Sequence, residues 1–135
     1  MKELIIEAII DNLDEVIDFI NEELSMHNCD AGLQSEIDVA VEEIFVNVAN
    51  YAYKPATGKV TISISTDEEF AARFEDAGRA YNPIEHTDPD LNIPIMERKL
   101  GGLGILLVRQ IMDNVTYERV DDKNVLTMSK RIIKK

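Results

Sequence analysis

Residues 36–53 read EIDVAVEEIFVNVANYAY, and this stretch predicts a helix whose two sides differ in chemistry. At 100° per residue, one stripe is apolar and consists of Ile37, Val41, Ile44 and Val48. A polar stripe lies beside it and consists of Glu36, Glu43, Asn47 and Asn50. Because Glu43 and Asn47 are one turn apart, they can converge on one ligand, as a proton acceptor and as an oxygen donor to Mg²⁺. The alternative is an ordinary solvated helix face.

Composition limits the classes of protein that this chain can represent. Its 135 residues, 45% of them hydrophobic, predict a single globular domain over residues 1–135. A formal net charge of -12 would repel nucleic acids and anionic membranes, so we expect neither as a partner and favour a protein with a basic face. Cys29 is the only cysteine, which excludes an intrachain disulfide. Apolar runs are too short to span a bilayer and no signal peptide opens the chain, so we expect a cytoplasmic location.

The remaining elements follow from periodicity. Two segments predict a first strand and a first helix, Lys2–Ile10 and about Leu13–Met26, with Asp11 as the helix N-cap. Residues 28–32 connect this helix to the central one, which is predicted to end near Tyr53. Strands are predicted at Val60–Ile64, Phe70–Phe74, Val115–Val120 and Val125–Ile133, with a helix over Ile105–Met112. This order predicts an α+β two-layer sandwich, with helices on one face of a mostly antiparallel sheet.

The second of the paired strands ends in a motif that suits a ligand pocket. Asp76 can accept a hydrogen bond from an exocyclic amine, and Gly78 lets the backbone approach a flat ring closely. The alternative is an ordinary Asp-x-Gly turn.

A long irregular segment precedes the third helix. Residues 79–100 contain three prolines and no sustained period, which is typical of a functional or mobile loop. The run Gly101-Gly102-Leu103-Gly104 then opens the helix, where backbone N–H groups and the helix dipole favour an anion such as phosphate. A structural turn is the alternative interpretation.

These three elements, in this order, resemble the ATPase superfamily of gyrase, the ninety-kilodalton heat-shock chaperone, sensor histidine kinases and mismatch-repair ATPases. Within that superfamily the chain is most similar to the anti-sigma-factor serine/threonine kinases. The two most specific runs are residues 101–113 and residues 41–53, and the likeness covers nearly the whole chain. The resemblance implies the Bergerat ATP-binding fold.

The resemblance implies roles for individual residues. Glu43 matches the catalytic glutamate, Asn47 the Mg²⁺ ligand and Asp76 the adenine-reading aspartate. Glycines of the two nucleotide boxes are matched by Gly78, Gly102 and Gly104. Further nucleotide contacts are expected at Asn50, Ala80, Arg98, Lys99, Gly101, Leu103 and Thr127. Either Arg98 or Lys99, in the lid over residues 84–100, is expected to reach the γ-phosphate, although lid cations are often only solvated.

The chain departs from the family pattern at three places. Arg79-Ala80-Tyr81 replaces a second small glycine after Asp-x-Gly, and Tyr51 replaces a histidine often found four residues beyond the asparagine. The usual Gly-Thr pair ahead of the last strand is missing, and Asn124 and Thr127 lie nearby.

The resulting functional hypothesis is an ATP- and Mg²⁺-dependent serine/threonine kinase that is also an anti-sigma factor. The implied partners are a STAS-domain anti-anti-sigma protein as the phosphate acceptor and an RNA polymerase sigma factor as the competing ligand, with a possible homodimer. Three alternatives remain open at this point: a nucleotide-gated binding module with little or no transfer, an interaction protein with a structural glycine run, and an ATPase whose acceptor is water.

Overall fold

The structure, a computed structural model, describes residues 1–27, 29–53, 56–82 and 104–132. Within these residues, three α-helices pack on one face of a five-stranded antiparallel sheet. The elements are β1 (Lys2–Glu7), α1 (Leu13–Met26), α2 (Ala31–Tyr51), β2 (Lys59–Thr66), β3 (Glu69–Asp76), α3 (Gly104–Ile111), β4 (Asn114–Val120) and β5 (Lys123–Arg131). The predicted α+β two-layer sandwich is therefore confirmed.

Alternation along the strands decides which side chains face the helices. The strand order is β1-β2-β3-β5-β4, and all neighbours are antiparallel. In β3 the buried, helix-facing positions are Phe70, Ala72 and Phe74, and the same alternation makes Asp76 the next helix-facing residue. In β5 the helix-facing series runs back from Met128 and Leu126 to Asn124, whose Cα pairs with that of Asp76. Two polar side chains are thus brought together on the helix side of the sheet.

The core lies between the sheet and the helices, and α2 is its central helix. The largest fully buried side chains include Phe45, Phe70, Phe74, Ile20, Leu24, Ile37, Ile44, Ile62, Ile64 and Ile105. Burial of each such side chain contributes about 1.5–3 kcal/mol to folding. α2 begins with a side-chain cap, because Asp30 Oδ2 accepts a hydrogen bond of 3.2 Å from Leu33 N. No helix in the described ranges is long and apolar enough to cross a membrane.

Several predicted boundaries differ from the observed ones. The first strand ends at Glu7 rather than Ile10, and Asp11 lies inside a short 3-10 helix, Ile10–Asn12, instead of capping α1. The preceding strand is closed by Asn12, whose Nδ2 donates to Glu7 O at 3.0 Å and therefore does not cap the helix either. α2 starts and stops about two residues earlier than predicted, at Ala31 and Tyr51.

Candidate functional site

A pocket lies where α2 meets the sheet, and encloses about 380 Å³, counting the part that opens to solvent. From α2 it is lined by Ile44, Asn47 and Val48, and from the sheet by Phe74, Asp76 and Asn124. Asn47 from the polar stripe of α2 and Asp76 at the end of β3, both singled out in the sequence, therefore line one cavity. Glu43 and Asn50 are not among its described lining residues.

Asp76 supplies the carboxylate of this pocket and is only 5% exposed. Its Oδ1 accepts hydrogen bonds of 2.9 Å from Gly78 N and 2.9 Å from Asn124 Nδ2. Burial raises the pKa of the carboxyl group, while these two bonds and the charge of Arg119 act in the opposite direction. Oδ2 accepts no hydrogen bond from the described residues, which leaves it for a ligand.

Gly78 is required by the packing of the turn that follows β3. A Cβ at this position would lie 2.3 Å from Ala52 O, and the next residue binds the same carbonyl through Arg79 N at 2.9 Å. The sequence suggested that Gly78 lets the backbone approach a flat ring. In the structure, the glycine also lets the backbone of the turn approach the C-terminal end of α2. Tyr53 holds the turn from the other side, because its hydroxyl accepts from Ala77 N at 2.8 Å and donates to Lys59 O at 2.6 Å.

Asn124 is the residue that the sequence analysis named near the pocket without assigning it a role. It is 6% exposed, and its Nδ2 donates to Asp76 Oδ1 and, at 2.7 Å, to Arg79 O. Its Oδ1 accepts from Tyr81 N at 3.2 Å and from the hydroxyl of Tyr117. One side chain therefore ties β3, β4, β5 and the turn after β3 together.

Asn47 is the second polar group of the pocket. It is 4% exposed, and neither Nδ2 nor Oδ1 has a hydrogen-bond partner among the described residues. Leaving a buried polar group unpaired costs about 1–3 kcal/mol, so such a group points to an absent ligand. A neutral amide oxygen in this setting fits a hard cation such as Mg²⁺, which accepts oxygen ligands.

Glu43 lies one turn before Asn47 on α2 and is partly exposed. Burial raises the pKa of its carboxyl group, and the neighbouring charge of Glu42 raises it further. A carboxylate with a raised pKa is a stronger base than an ordinary one, which suits a proton acceptor. Asn50, one turn after Asn47 on α2, is also partly exposed.

Aromatic side chains border the pocket on its sheet side. Tyr81 and Tyr117 line it, and the ring of Tyr81 stacks on Tyr51 with centroids 5.0 Å apart and an interplanar angle of 17°. Stacked rings of this kind offer a flat apolar surface to a ligand ring.

The other predicted site residues are placed as follows. Gly104 is the first residue of α3, which packs on α2, and Ala80 is exposed in the turn after β3. Thr127 does not reach the pocket, because it lies an odd number of residues from Asn124 and Leu126 and so occupies the outer face of the sheet. Arg98, Lys99, Gly101, Gly102 and Leu103, with the predicted lid, lie outside the described residues.

Comparison with known proteins agrees with this geometry. The family model of the histidine kinase-like ATPase domain matches residues 6–130. Among curated proteins, the serine/threonine-protein kinase BtrW of Bordetella bronchiseptica is 28% identical over 102 residues, which cover 73% of this chain and 71% of the relative.

Two solved structures share the fold. The histidine kinase domain of a blue-light activated histidine kinase from Erythrobacter litoralis superposes with a TM-score of 0.50 and 18% identity, over 74% of this chain and 45% of that one. The histidine kinase AdeS of Acinetobacter baumannii gives a TM-score of 0.55 and 15% identity, over 99% and 70% of the two chains. The chain thus spans less than half of the first structure, and at these identities both comparisons show the fold alone.

Proposed function

The chain belongs to the histidine kinase-like ATPase domain family, and we propose that it is a protein kinase that transfers the γ-phosphoryl group of ATP to a serine or threonine. The observation that carries this proposal is one pocket that holds both the buried carboxylate of Asp76 and the amide of Asn47, which has no hydrogen-bond partner among the described residues. The relative named a serine/threonine-protein kinase supports a hydroxyl as the acceptor.

The base of the nucleotide is assigned to the Asp76 side of the pocket. A 6-amino group of adenine would donate to Asp76 Oδ2, because Oδ1 is already used by Gly78 and Asn124. The rings of Tyr81 and Tyr117 border the same region and would contact the flat faces of the base.

The phosphates are assigned to the side of the pocket formed by Asn47. A Mg²⁺ ion held there would supply positive charge that offsets the negative charge developing on the phosphates during transfer. Asn47 would hold this ion through Oδ1, which agrees with its having no protein partner in the described structure. Asn50, one turn further along α2, and Gly104, at the start of α3, are proposed as additional nucleotide contacts, as are Arg98, Lys99 and Gly101–Leu103.

Glu43 is proposed as the base of the transfer step. The acceptor hydroxyl oxygen forms a bond to the γ-phosphorus, the bond from that phosphorus to the bridging oxygen of ADP breaks, and the hydroxyl proton passes to the carboxylate. The raised pKa of Glu43 favours this proton transfer. Most of the remaining rate enhancement would come from positioning and charge neutralisation.

The partner proteins are proposed from the family resemblance. A STAS-domain anti-anti-sigma protein would be the phosphate acceptor, and a sigma factor would be the protein that the kinase sequesters, in the cytoplasm and with a homodimer as a possible form. The net charge of -12 favours partners with a basic face.

The test combines nucleotide binding with identification of the acceptor. The full chain is titrated with ATP and ADP by calorimetry, and proteins captured on it from a bacterial lysate with either nucleotide are mapped for phosphorylated residues. The proposal expects phosphate on a serine or threonine with ATP only, and expects its loss with Glu43→Gln. Phosphate release without any acceptor protein would indicate an ATPase, and ATP-dependent capture without phosphorylation would indicate a nucleotide-gated binding module.

A further inference from the structure

The hydrogen-bonding capacity of Asn124 is fully used inside the protein. A carboxamide has two N–H donors and two acceptor sites. Both donors are engaged, by Asp76 Oδ1 and Arg79 O, and both acceptor sites are engaged, by Tyr81 N and the hydroxyl of Tyr117. Asn124 therefore has nothing left with which to bind a ligand directly, although it lines the pocket.

The same bonds determine how Asp76 presents its charge. Its Oδ1 is held by two donors on different elements, Gly78 N and Asn124 Nδ2, each at 2.9 Å. Two hydrogen bonds to one oxygen fix the rotation of the carboxylate about the Cβ–Cγ bond. Only Oδ2 remains for a ligand, and its position depends on Asn124.

The backbone next to Asp76 offers few competing donors. Three backbone N–H groups that follow Asp76 already donate hydrogen bonds within the protein. Ala77 N donates to the hydroxyl of Tyr53, Arg79 N to Ala52 O, and Tyr81 N to Asn124 Oδ1. The base region of the pocket therefore presents mainly an acceptor, which matches a donor on the ligand and repels another acceptor.

We propose that Asn124 is a positioning residue for base selection: it orients Asp76 so that the pocket prefers a purine with an amino group at C6 over one with a carbonyl. This inference rests on the proposed nucleotide site. Asn124 acts without touching the base, through Asp76 on one side and the backbone of Tyr81 on the other.

The experiment measures selectivity rather than affinity alone. Calorimetry on the full chain compares ADP, whose base has the amino group, with inosine diphosphate, whose base has the carbonyl. Wild type is expected to prefer ADP by about tenfold to a hundredfold, the range for a hydrogen bond to a charged group. In Asn124→Ala the carboxylate can rotate and the preference should fall to within about threefold. Damage to the pocket as a whole would instead weaken both nucleotides by the same factor and leave the ratio unchanged.

Two further variants make the result decisive. Tyr117→Phe removes one donor to Asn124 and should reduce the preference partway, which also decides the question if Asn124→Ala does not fold. Thr127→Ala changes the same strand on its outer face and should leave the ratio unchanged. If folded Asn124→Ala keeps the wild-type ratio of ADP to inosine diphosphate affinity, the inference is overturned while the nucleotide site stands. If Asn124→Ala does not fold, an unchanged ratio in Tyr117→Phe has the same consequence. A wild type that binds neither nucleotide overturns the proposed function itself, and this inference with it.

Discussion

Replacing Asp76 by asparagine tests the nucleotide site at its most specific contact. In the variant, one oxygen can still accept from Gly78 N and Asn124 Nδ2, so the new amide nitrogen must occupy the place of Oδ2. A donor would then face the amino group of adenine. Loss of a hydrogen bond to a charged group costs about 1.5–3 kcal/mol, and an unpaired buried donor adds about 1–3 kcal/mol. The sum predicts that ATP and ADP affinity fall by about 10²–10⁴-fold.

The fold should tolerate this change, and its pH dependence gives an independent check. The pKa of Asp76 is raised in the folded state, so the folded protein keeps this proton to higher pH than the unfolded chain. The stability that the protonated carboxyl contributes is full below its unfolded pKa and is lost as pH rises through the folded pKa. Asparagine does not titrate and has no such loss, so Asp76→Asn should gain stability relative to wild type as the pH rises above about 4, the ordinary pKa of aspartate.

Calorimetry with both nucleotides and thermal melts at several pH values provide the measurements. Glu75→Gln is the matched control, since it removes one negative charge from the adjacent residue of β3, which faces the other side of the sheet and pairs with Arg73. Its nucleotide affinity should stay within about threefold of wild type. If folded Asp76→Asn binds ADP as tightly as this control does, Asp76 is only a turn residue and the base must bind elsewhere.

Three other substitutions probe the remaining parts of the site. Asn47→Leu should abolish the Mg²⁺-dependent part of ATP affinity yet raise the melting temperature, because it removes a buried amide that has no partner among the described residues, at a cost of about 1–3 kcal/mol. ATP titrations with and without a chelator and thermal melts provide the measurements, and a variant with a lower melting temperature would contradict this prediction. Glu43→Gln should keep nucleotide binding and slow single-turnover transfer by about 10²–10⁴-fold, and a wild-type rate would remove Glu43 from the mechanism. Gly78→Ala should destabilise the protein by about 1–3 kcal/mol in denaturant melts, the typical cost of overpacking, because its Cβ would lie 2.3 Å from Ala52 O. Gly32→Ala, whose Cβ would have its nearest contact at 3.2 Å, is the control, and equal unfolding midpoints for the two variants would refute the steric argument.

The fold was predictable because each element carries a strong local signal. The alternation of β2 and β3 and the apolar stripe of α2 determine which faces are buried, and the short connections favour the antiparallel pairs β2–β3 and β4–β5. Boundaries were less accurate where polar side chains compete for the backbone. Asn12 illustrates this, since it closes β1 through Glu7 O instead of capping α1.

The residues of the candidate pocket were predictable only where one helix or strand alone brings them together. Glu43 and Asn47 share a helix, and Asp76 and Gly78 share a strand end, so spacing within the sequence is informative. Asn124 is different, because its role depends on the register that places it opposite Asp76, and no local pattern specifies which residue of a distant strand becomes the partner. The structure supplies that register.

Strand parity explains why Thr127, an expected nucleotide contact, does not reach the pocket. Asn124 and Thr127 are three residues apart, so on one strand their side chains must point to opposite faces of the sheet. Once Leu126 is known to face the core, parity selects Asn124 for the pocket and excludes Thr127. The consequence is chemical as well as geometric: a carboxamide binds Asp76 and the neighbouring backbone simultaneously, whereas a threonine hydroxyl has a single donor hydrogen. The pocket of this chain therefore holds its aspartate through Gly78 N and one saturated side chain, that of Asn124, and the proposal predicts that base selectivity depends on Asn124.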